Sequence, residues 1–190
     1  MFTFKKKYFL IIESIKDINL SNIKKQDKFC IIYRPSKLVE NLADLKKFKK
    51  DCFVKKIKFF IANDARLCIS TRADGVYLSA YNKTLKSLNL KKLNLKIIGS
   101  AHNYKEINLK IKQGCDFILL SKLFFVNYKK NSPLIGVVKF NKFLTQYNKN
   151  LIPLGGINFT NLNKLNILKS IGFAMMSEVK KKPAITDRLF

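Results

Sequence analysis

The chain has 190 residues, which is long enough for one domain with a substantial hydrophobic core. Its hydrophobic fraction of 47% is that of a globular protein, and its apolar runs fall well short of the roughly 20 residues of a membrane span. The net charge of +26 comes mostly from lysines spread along the whole chain, so we expect a solvated basic surface and no specific nucleic-acid partner.

Short apolar runs alternate with segments of helical periodicity along the chain. The runs that predict strands are residues 8–12, 29–33, 57–62, 75–78, 95–99, 117–120, 151–154 and 173–176. Eight strands with intervening helical segments predict a parallel sheet, and their even number and two-sided apolar character favour a closed (β/α)8 TIM barrel. Since 190 residues are few for that fold, some helices must be shortened. A doubly wound sheet is the alternative.

Helical periodicity predicts helices over residues 38–50, 65–71, 82–94, 137–147 and 162–171. A further helix is predicted between Asn103 and Gly114, because Asn103 and Glu106 have the spacing of a capping box and Gly114 supplies a stop. Gly172 is expected to end the helix over 162–171.

The N-terminal segment and the cysteines indicate the compartment. The apolar run after the first lysines is too short for a signal sequence and is followed by no small-residue cleavage site, so we expect a cytoplasmic protein. The four cysteines form no CxxC pair, and three lie in or beside apolar runs, which predicts buried free thiols. A zinc site is not expected, because His102 is the single histidine.

In a barrel of this kind the active site lies at the carboxyl ends of the strands. Small polar residues, basic residues and glycines recur there, which suits a phosphorylated ligand. They include Arg34, Lys37, Asn63, Asp64, Ser79, Asn82, Ser100, His102, Ser121, Lys122, Lys129, Lys130, Gly155, Gly156 and Ser177. The paired glycines after the seventh strand let the backbone approach a ligand, and a helix N-terminus beside them would favour an anion. A plain strand-to-helix turn is the alternative interpretation.

The order and spacing of five pieces resemble the thiamine phosphate synthase and thiazole tautomerase superfamily, from about residue 29 to 177. The pieces are IANDARLCISTRADGVYL, IIGSAHN, GCDFILLSKLFF, LIPLGGIN and IGFAMMS. The resemblance implies one barrel domain over residues 1–190. It also implies a transferase that joins hydroxymethylpyrimidine diphosphate to thiazole phosphate and releases diphosphate, with Mg²⁺ at the leaving group.

The resemblance assigns roles to individual positions. It implies that Gly156 and Ser177, with Gly155 beside them, bind the thiazole phosphate, and that the residues around the diphosphate are Arg34, Asn63, Asp64, Ser100 and Lys129. A lysine of the family falls at Ser36, so Lys37, one place on, is a further phosphate-binding candidate. Asp64 would also hold Mg²⁺. Asn82 stands where the family has a second magnesium-binding aspartate, which should weaken the metal site.

Other functions stay open. In a thiazole tautomerase, Lys122 or His102 would move protons, although that branch has a histidine at the position of Lys122. Across the synthase and tautomerase interpretations, the catalytic candidates are Ser100, Lys129, Lys122 and His102. A non-catalytic binder of thiamine-type phosphates is a further alternative, and a lysine-driven nucleic-acid binder would leave the strand-end glycines unexplained. Homo-oligomerisation is left open.

Overall fold

The fold is known from a computed structural model that describes residues 6–23, 27–36, 39–125, 134–147 and 150–176. Eight parallel strands form a closed barrel in sequence order, with β8 paired to β1. The strands are β1 Lys7–Ile12, β2 Phe29–Tyr33, β3 Lys58–Ala62, β4 Gly75–Leu78, β5 Lys96–Ala101, β6 Phe117–Ser121, β7 Asn150–Leu154 and β8 Gly172–Met175. The closed barrel confirms the predicted fold and excludes the doubly wound sheet, which would have two edge strands.

The helices explain how so short a chain completes the barrel. The α-helices are α1 Leu42–Val54, α2 Ala65–Ser70, α3 Leu88–Lys91, α4 Tyr104–Lys112 and α5 Gly136–Gln146, and the 3-10 helices are Ile15–Asp17, Leu20–Asn22 and Phe159–Ile167. The connections after β1, β4 and β7 thus have 3-10 helices or a single α-helical turn where a full-sized barrel has a long helix. None of the helices in the described ranges is long and apolar enough to cross a membrane.

Two predicted helices differ from the structure in length or type. The helix over 82–94 is reduced to α3, because the carbonyl groups of Asn82 and Thr84 accept hydrogen bonds from side chains of the α4 region. The helix over 162–171 is a 3-10 helix that begins earlier, and Gly172 belongs to β8, where a Cβ atom would lie 2.1 Å from the Lys7 carbonyl oxygen.

Side-chain caps set two helix starts. The Asn41 side chain accepts from the Asp44 N–H (2.8 Å), so α1 begins at Leu42, later than the predicted residue 38. The predicted cap at Asn103 is confirmed, since its side chain accepts from the Glu106 N–H (3.0 Å). Gly114, with φ +76°, follows the end of α4 as expected.

The barrel has two apolar layers because successive strand residues face opposite sides. An outer cluster lies between the strands and the helices. An inner cluster fills the barrel with Phe9, Ile11, Cys30, Ile32, Phe60, Tyr77, Ile98, Leu119, Ile152 and Ala174. Side chains that continue the inner set beyond the strand ends therefore face the open mouth.

All four cysteines are buried and free, as predicted. Burial raises the pKa of Cys30 and Cys68 to about 11, and the pKa of Cys52 and Cys115 to about 12. The thiols therefore stay protonated at neutral pH and serve as small apolar side chains.

Asp74 is the main charged anchor at the end of the barrel opposite the mouth. Its carboxylate accepts from the ammonium group of Lys49, from Lys58 (3.1 Å) and from the Phe59 N–H (2.9 Å). Burial opposes the charged form, but the hydrogen bonds from Lys49 and Phe59 outweigh burial and lower the pKa of Asp74.

We expect Asp74→Asn to lower the free energy of unfolding by about 2 kcal/mol at pH 7, because it weakens charge-assisted hydrogen bonds. The folded-state pKa is depressed, so this contribution is present above the unfolded pKa and is lost as the pH falls through the folded pKa. Urea unfolding at neutral and acidic pH measures the difference, with exposed Asp51→Asn as a control of equal charge change. If Asp74→Asn lowered the free energy of unfolding equally at both pH values, the stabilisation by Asp74 would not be electrostatic.

Candidate functional site

Arg34 stands at the barrel mouth directly after β2. Its N–H donates to the Ile12 carbonyl (2.8 Å), which fixes the backbone, and its side chain is half-buried. The guanidinium makes no hydrogen bond or ion pair with any residue that the structure describes. A half-buried cation that forms no ion pair with the described residues is suited to an anionic ligand.

Glu40 holds the segments on either side of Arg34. Its carboxylate accepts from the Tyr33 hydroxyl and from the Ile15 N–H (3.0 Å), and its own N–H donates to the Tyr33 hydroxyl (3.0 Å). Tyr33 is fully buried, so these bonds tie the loops after β1 and β2 to the barrel wall.

Tyr77 and Ser100 meet inside the barrel near Arg34. Tyr77 belongs to the inner cluster and Ser100 is 6% exposed, so both hydroxyls are largely shielded from solvent. Burial raises the pKa of Tyr77, while a hydrogen bond with Ser100 and the positive charge of Arg34 act in the opposite direction. The predicted residues Arg34 and Ser100 thus both influence the Tyr77 hydroxyl. Tyr77 itself looks like an ordinary strand residue in the sequence.

Asn63 links the loops after β3 and β4. It has φ +57°, and its side-chain oxygen accepts from the Ser79 N–H (3.0 Å) and from the Asn82 amide (3.2 Å). The predicted residues Asn63 and Asn82 therefore do come together. Asp64 caps α2, because its carboxylate accepts from the Leu67 N–H (2.8 Å).

These side chains do not fit a magnesium site held by the protein. Magnesium requires near-octahedral oxygen coordination. Asn82 presents its amide donor to Asn63 and uses its oxygen to accept from the Thr84 N–H (3.1 Å). Across the described ranges, no three His, Cys, Asp or Glu side chains are grouped so as to hold a metal ion. The metal role of Asp64 stays a prediction, and we derive no step through Mg²⁺.

We expect Asn82→Asp to create a magnesium response. The new carboxylate adds a hard ligand and places an oxygen against the Asn63 oxygen, a contact that a cation would relieve. Magnesium at ten times its dissociation constant should then stabilise the variant by about 1.4 kcal/mol. Thermal unfolding with and without Mg²⁺ measures this, with Asn89→Asp on α3 as the charge-matched control. Equal magnesium responses in the two variants would refute a cation site at position 82.

The turn formed by Gly155 and Gly156 packs against the segment after β6. Both glycines have positive φ, +93° and +70°, and the Phe124 N–H donates to the Gly155 carbonyl (3.0 Å). A Cβ atom on Gly156 would lie 2.5 Å from the carbonyl oxygens of Phe124 and Phe125. Among the described residues, no acceptor is found for the N–H groups of Gly156 and Ile157, which suits the predicted anion site.

The helix after this turn does not contribute as the sequence suggested. The segment is a 3-10 helix capped by Asn158, whose side chain accepts from the Thr160 N–H (3.0 Å). The Asn158 N–H in turn donates to the Asn161 side chain (2.9 Å). These N–H groups already have acceptors within the chain, so the predicted anion site would consist of the glycine turn itself.

His102 and Lys122 differ in their surroundings. The His102 side chain is 47% exposed at the start of α4, with Nδ1 3.0 Å from a Glu106 carboxylate oxygen. Lys122 is 9% exposed and lies beside the glycine turn, where a Cβ atom on Gly155 would be 3.4 Å from its Cα atom. Lys122 thus packs against the glycine turn, with its ammonium over the Phe125 ring, whereas His102 has the contacts of a helix-start residue. The predicted site residues Lys37, Lys129 and Ser177 lie outside the described residues.

Sequence reasoning missed Lys110 and Gln113. Both are fully buried on or next to α4, and both bind the loop after β4. A signal was present, because Lys110 lies three residues after Ile107 on the buried side of α4, where lysine is uncommon.

Comparison with known proteins identifies the family of this chain. Residues 23–179 match the sequence model of the thiamine monophosphate synthase family. The chain belongs to this family. Two relatives are thiamine-phosphate synthases of Prochlorococcus marinus. One, from subspecies pastoris, is 32% identical over 108 residues, covering 56% of this chain and 31% of the relative; another is 28% identical over 152 residues, covering 78% and 43%. The chain therefore spans less than half of the length of these two relatives.

A solved structure has the same fold. The thiamine phosphate pyrophosphorylase of Pyrococcus furiosus superposes with a TM-score of 0.74 at 17% identity, covering 97% of this chain and 95% of that one. At this identity the match supports the barrel architecture.

Proposed function

We propose that this protein is a thiamine phosphate synthase-like transferase. It joins hydroxymethylpyrimidine diphosphate to thiazole phosphate and releases diphosphate. The observation that carries the proposal is the half-buried guanidinium of Arg34, which lies near Tyr77 and Ser100 at one barrel mouth and has no acidic partner among the described residues. Membership of the thiamine monophosphate synthase family supports the same substrates.

The site divides into two anion-binding sides. On one side, the N–H groups of Gly156 and Ile157 would hold the thiazole phosphate. On the other, Arg34 would hold the diphosphate, with Ser100 and Tyr77 at the floor beside the pyrimidine ring. The bond between the pyrimidine methylene carbon and the diphosphate oxygen breaks with its electron pair on diphosphate. The thiazole nitrogen supplies the pair for the new carbon–nitrogen bond.

The protein would act mainly through electrostatics. Negative charge develops on the departing diphosphate, and a fixed guanidinium in a partly desolvated site stabilises that charge more than water does. Packing of both substrates in one barrel mouth supplies the alignment of carbon and nitrogen. Lys122, beside the glycine turn, is a further cation on the phosphate side. A weakened Mg²⁺ site and a cytoplasmic location are kept as predictions, and homo-oligomerisation is left open.

The test is a direct assay. Purified protein is incubated with both substrates, with and without Mg²⁺, and thiamine phosphate and diphosphate are quantified together. Equal amounts of the two products support the proposal. Binding of thiazole phosphate without either product under both conditions would overturn it.

A non-catalytic binder of thiamine-type phosphates is the second candidate. It is favoured by the Asn63–Asn82 contact, because two neutral amides pair where the family pattern provides a metal-binding carboxylate. This candidate predicts affinity for thiamine phosphate without turnover. Conversion of the thiazole tautomer that is lost in Lys122→Ala would instead support a tautomerase.

A further inference from the structure

Lys110 is a lysine without solvent access. It is 0% exposed, and its ammonium donates to the carbonyl oxygens of Ser79 (2.7 Å) and Asn82 (2.8 Å) and to the side-chain oxygen of Gln113 (2.8 Å). Three acceptors satisfy the three donors of the ammonium. Burial lowers the pKa of Lys110, because desolvation disfavours the charged form.

Gln113 extends the same network. Its side-chain nitrogen donates to the carbonyl oxygens of Asn82 (3.0 Å) and Thr84 (2.7 Å). The backbone of β5 makes room, because a Cβ atom on Gly99 would lie 2.7 Å from the Cδ atom of Lys110. Residues from β5 and α4 thus place the Lys110 ammonium under the loop after β4.

That loop, residues 79–84, borders the candidate site and is here named the strand-4 loop. Lys110 and Gln113 hold its carbonyl groups from the α4 side. From the other side, Asn63 accepts from the Ser79 N–H (3.0 Å) and from the Asn82 amide (3.2 Å). The loop is therefore hydrogen-bonded to the rest of the barrel from both sides.

We propose that Lys110 and Gln113 are positioning residues, and that the Lys110 ammonium organises the strand-4 loop so that the loop needs no divalent cation to take its shape. The ammonium is an internal cation beneath the loop that carries Asn82 in place of the expected aspartate. By placing Asn63 and Asn82 at the mouth, the network shapes the diphosphate side of the site. This last step rests on the proposed function, whereas the organisation of the loop does not.

Amide hydrogen exchange of the wild-type protein tests the loop directly. The N–H groups of Ser79, Asn82 and Thr84 are all hydrogen-bonded within the network. We expect them to be protected in the presence of EDTA and to keep that protection when Mg²⁺ is added. Protection that develops only with Mg²⁺ would overturn the proposal. Neither outcome depends on turnover, so a failure of the proposed function is distinguishable.

A substitution tests the lysine. Lys110→Met keeps the length of the side chain and removes the charge, and Lys112→Met, exposed on the same helix, is the matched control. We expect exchange of the strand-4 loop amides to accelerate about tenfold or more in Lys110→Met only. We also expect KM to rise for the diphosphate substrate and to stay unchanged for thiazole phosphate.

A merely structural role would give a different pattern. It would lower the active fraction, reducing kcat with both KM values unchanged, and would accelerate exchange throughout the barrel. Either result would count against positioning. If Lys110→Met does not fold, Gln113→Met leaves the ammonium with two carbonyl partners, and faster exchange confined to the same loop is expected. Unchanged exchange at Asn82 and Thr84 in Gln113→Met would refute the network.

Discussion

Gly156→Ala is expected to remove phosphate binding and to lower the free energy of unfolding by about 3 kcal/mol or more. The residue has φ +70°, a left-handed conformation that costs an L-residue about 1–2 kcal/mol. The added Cβ atom would also lie 2.5 Å from two backbone carbonyl oxygens, those of Phe124 and Phe125. Since these are backbone atoms, the segment after β6 must move, and the N–H groups of the turn move with it.

Gly136→Ala is the matched control for this prediction. Gly136 has almost the same φ, +68°, but nothing lies within 4 Å of a Cβ atom built there. Gly136→Ala should therefore lose only the stability that a left-handed backbone costs an L-residue, because its Cβ atom collides with no other atom. Urea unfolding gives the stability difference, and calorimetric titration with thiazole phosphate gives the affinity. Equal losses of stability in the two variants, with phosphate affinity retained in Gly156→Ala, would contradict the assigned role of the turn.

The sequence predicts the strands far better than the helices. Each strand is a short run that is apolar on both sides, because one side faces the inner cluster and the other faces the helices. Such a run has few alternative structures, and β2 and β4 match the prediction at both ends. The helices are less determined, because hydrogen bonds from distant residues compete with helical periodicity. The strand-4 loop is the example, since Lys110 and Gln113 capture carbonyl groups that a longer helix would need.

The candidate site is predictable in its members but not in their contacts. Barrel topology alone places Arg34, Asn63, Ser100 and Gly156 at one mouth once the strands are known. The spacing of residues in the sequence does not reveal which polar groups already have a hydrogen-bond partner, because that depends on side-chain geometry. Asn82 could equally have faced Asp64 across an open space, yet it donates to Asn63. Tyr77 was missed for the same reason, because its contact with Ser100 crosses from β4 to β5.

Arg34→Met is expected to weaken the binding of inorganic diphosphate about 100-fold. A charge-assisted hydrogen bond to a partly buried anion is worth about 1.5–3 kcal/mol, and the upper part of that range corresponds to about two orders of magnitude in affinity. Methionine retains much of the apolar stem of arginine, so the packing at the mouth changes less than the charge. Calorimetric titration with diphosphate measures the affinity.

The high net charge of +26 requires a control for this experiment, because any anion is attracted to so basic a protein. Arg72→Met is suited to it, since Arg72 is exposed in the turn before β4, at the opposite end of the barrel, and its replacement changes the net charge equally. If net charge alone attracts diphosphate, both variants should lose the same small amount of diphosphate affinity. A site built around Arg34 predicts a large loss in Arg34→Met that persists at high salt, because partly buried charges are screened less than exposed ones. Equal losses in the two variants would remove the main support for the proposed diphosphate side.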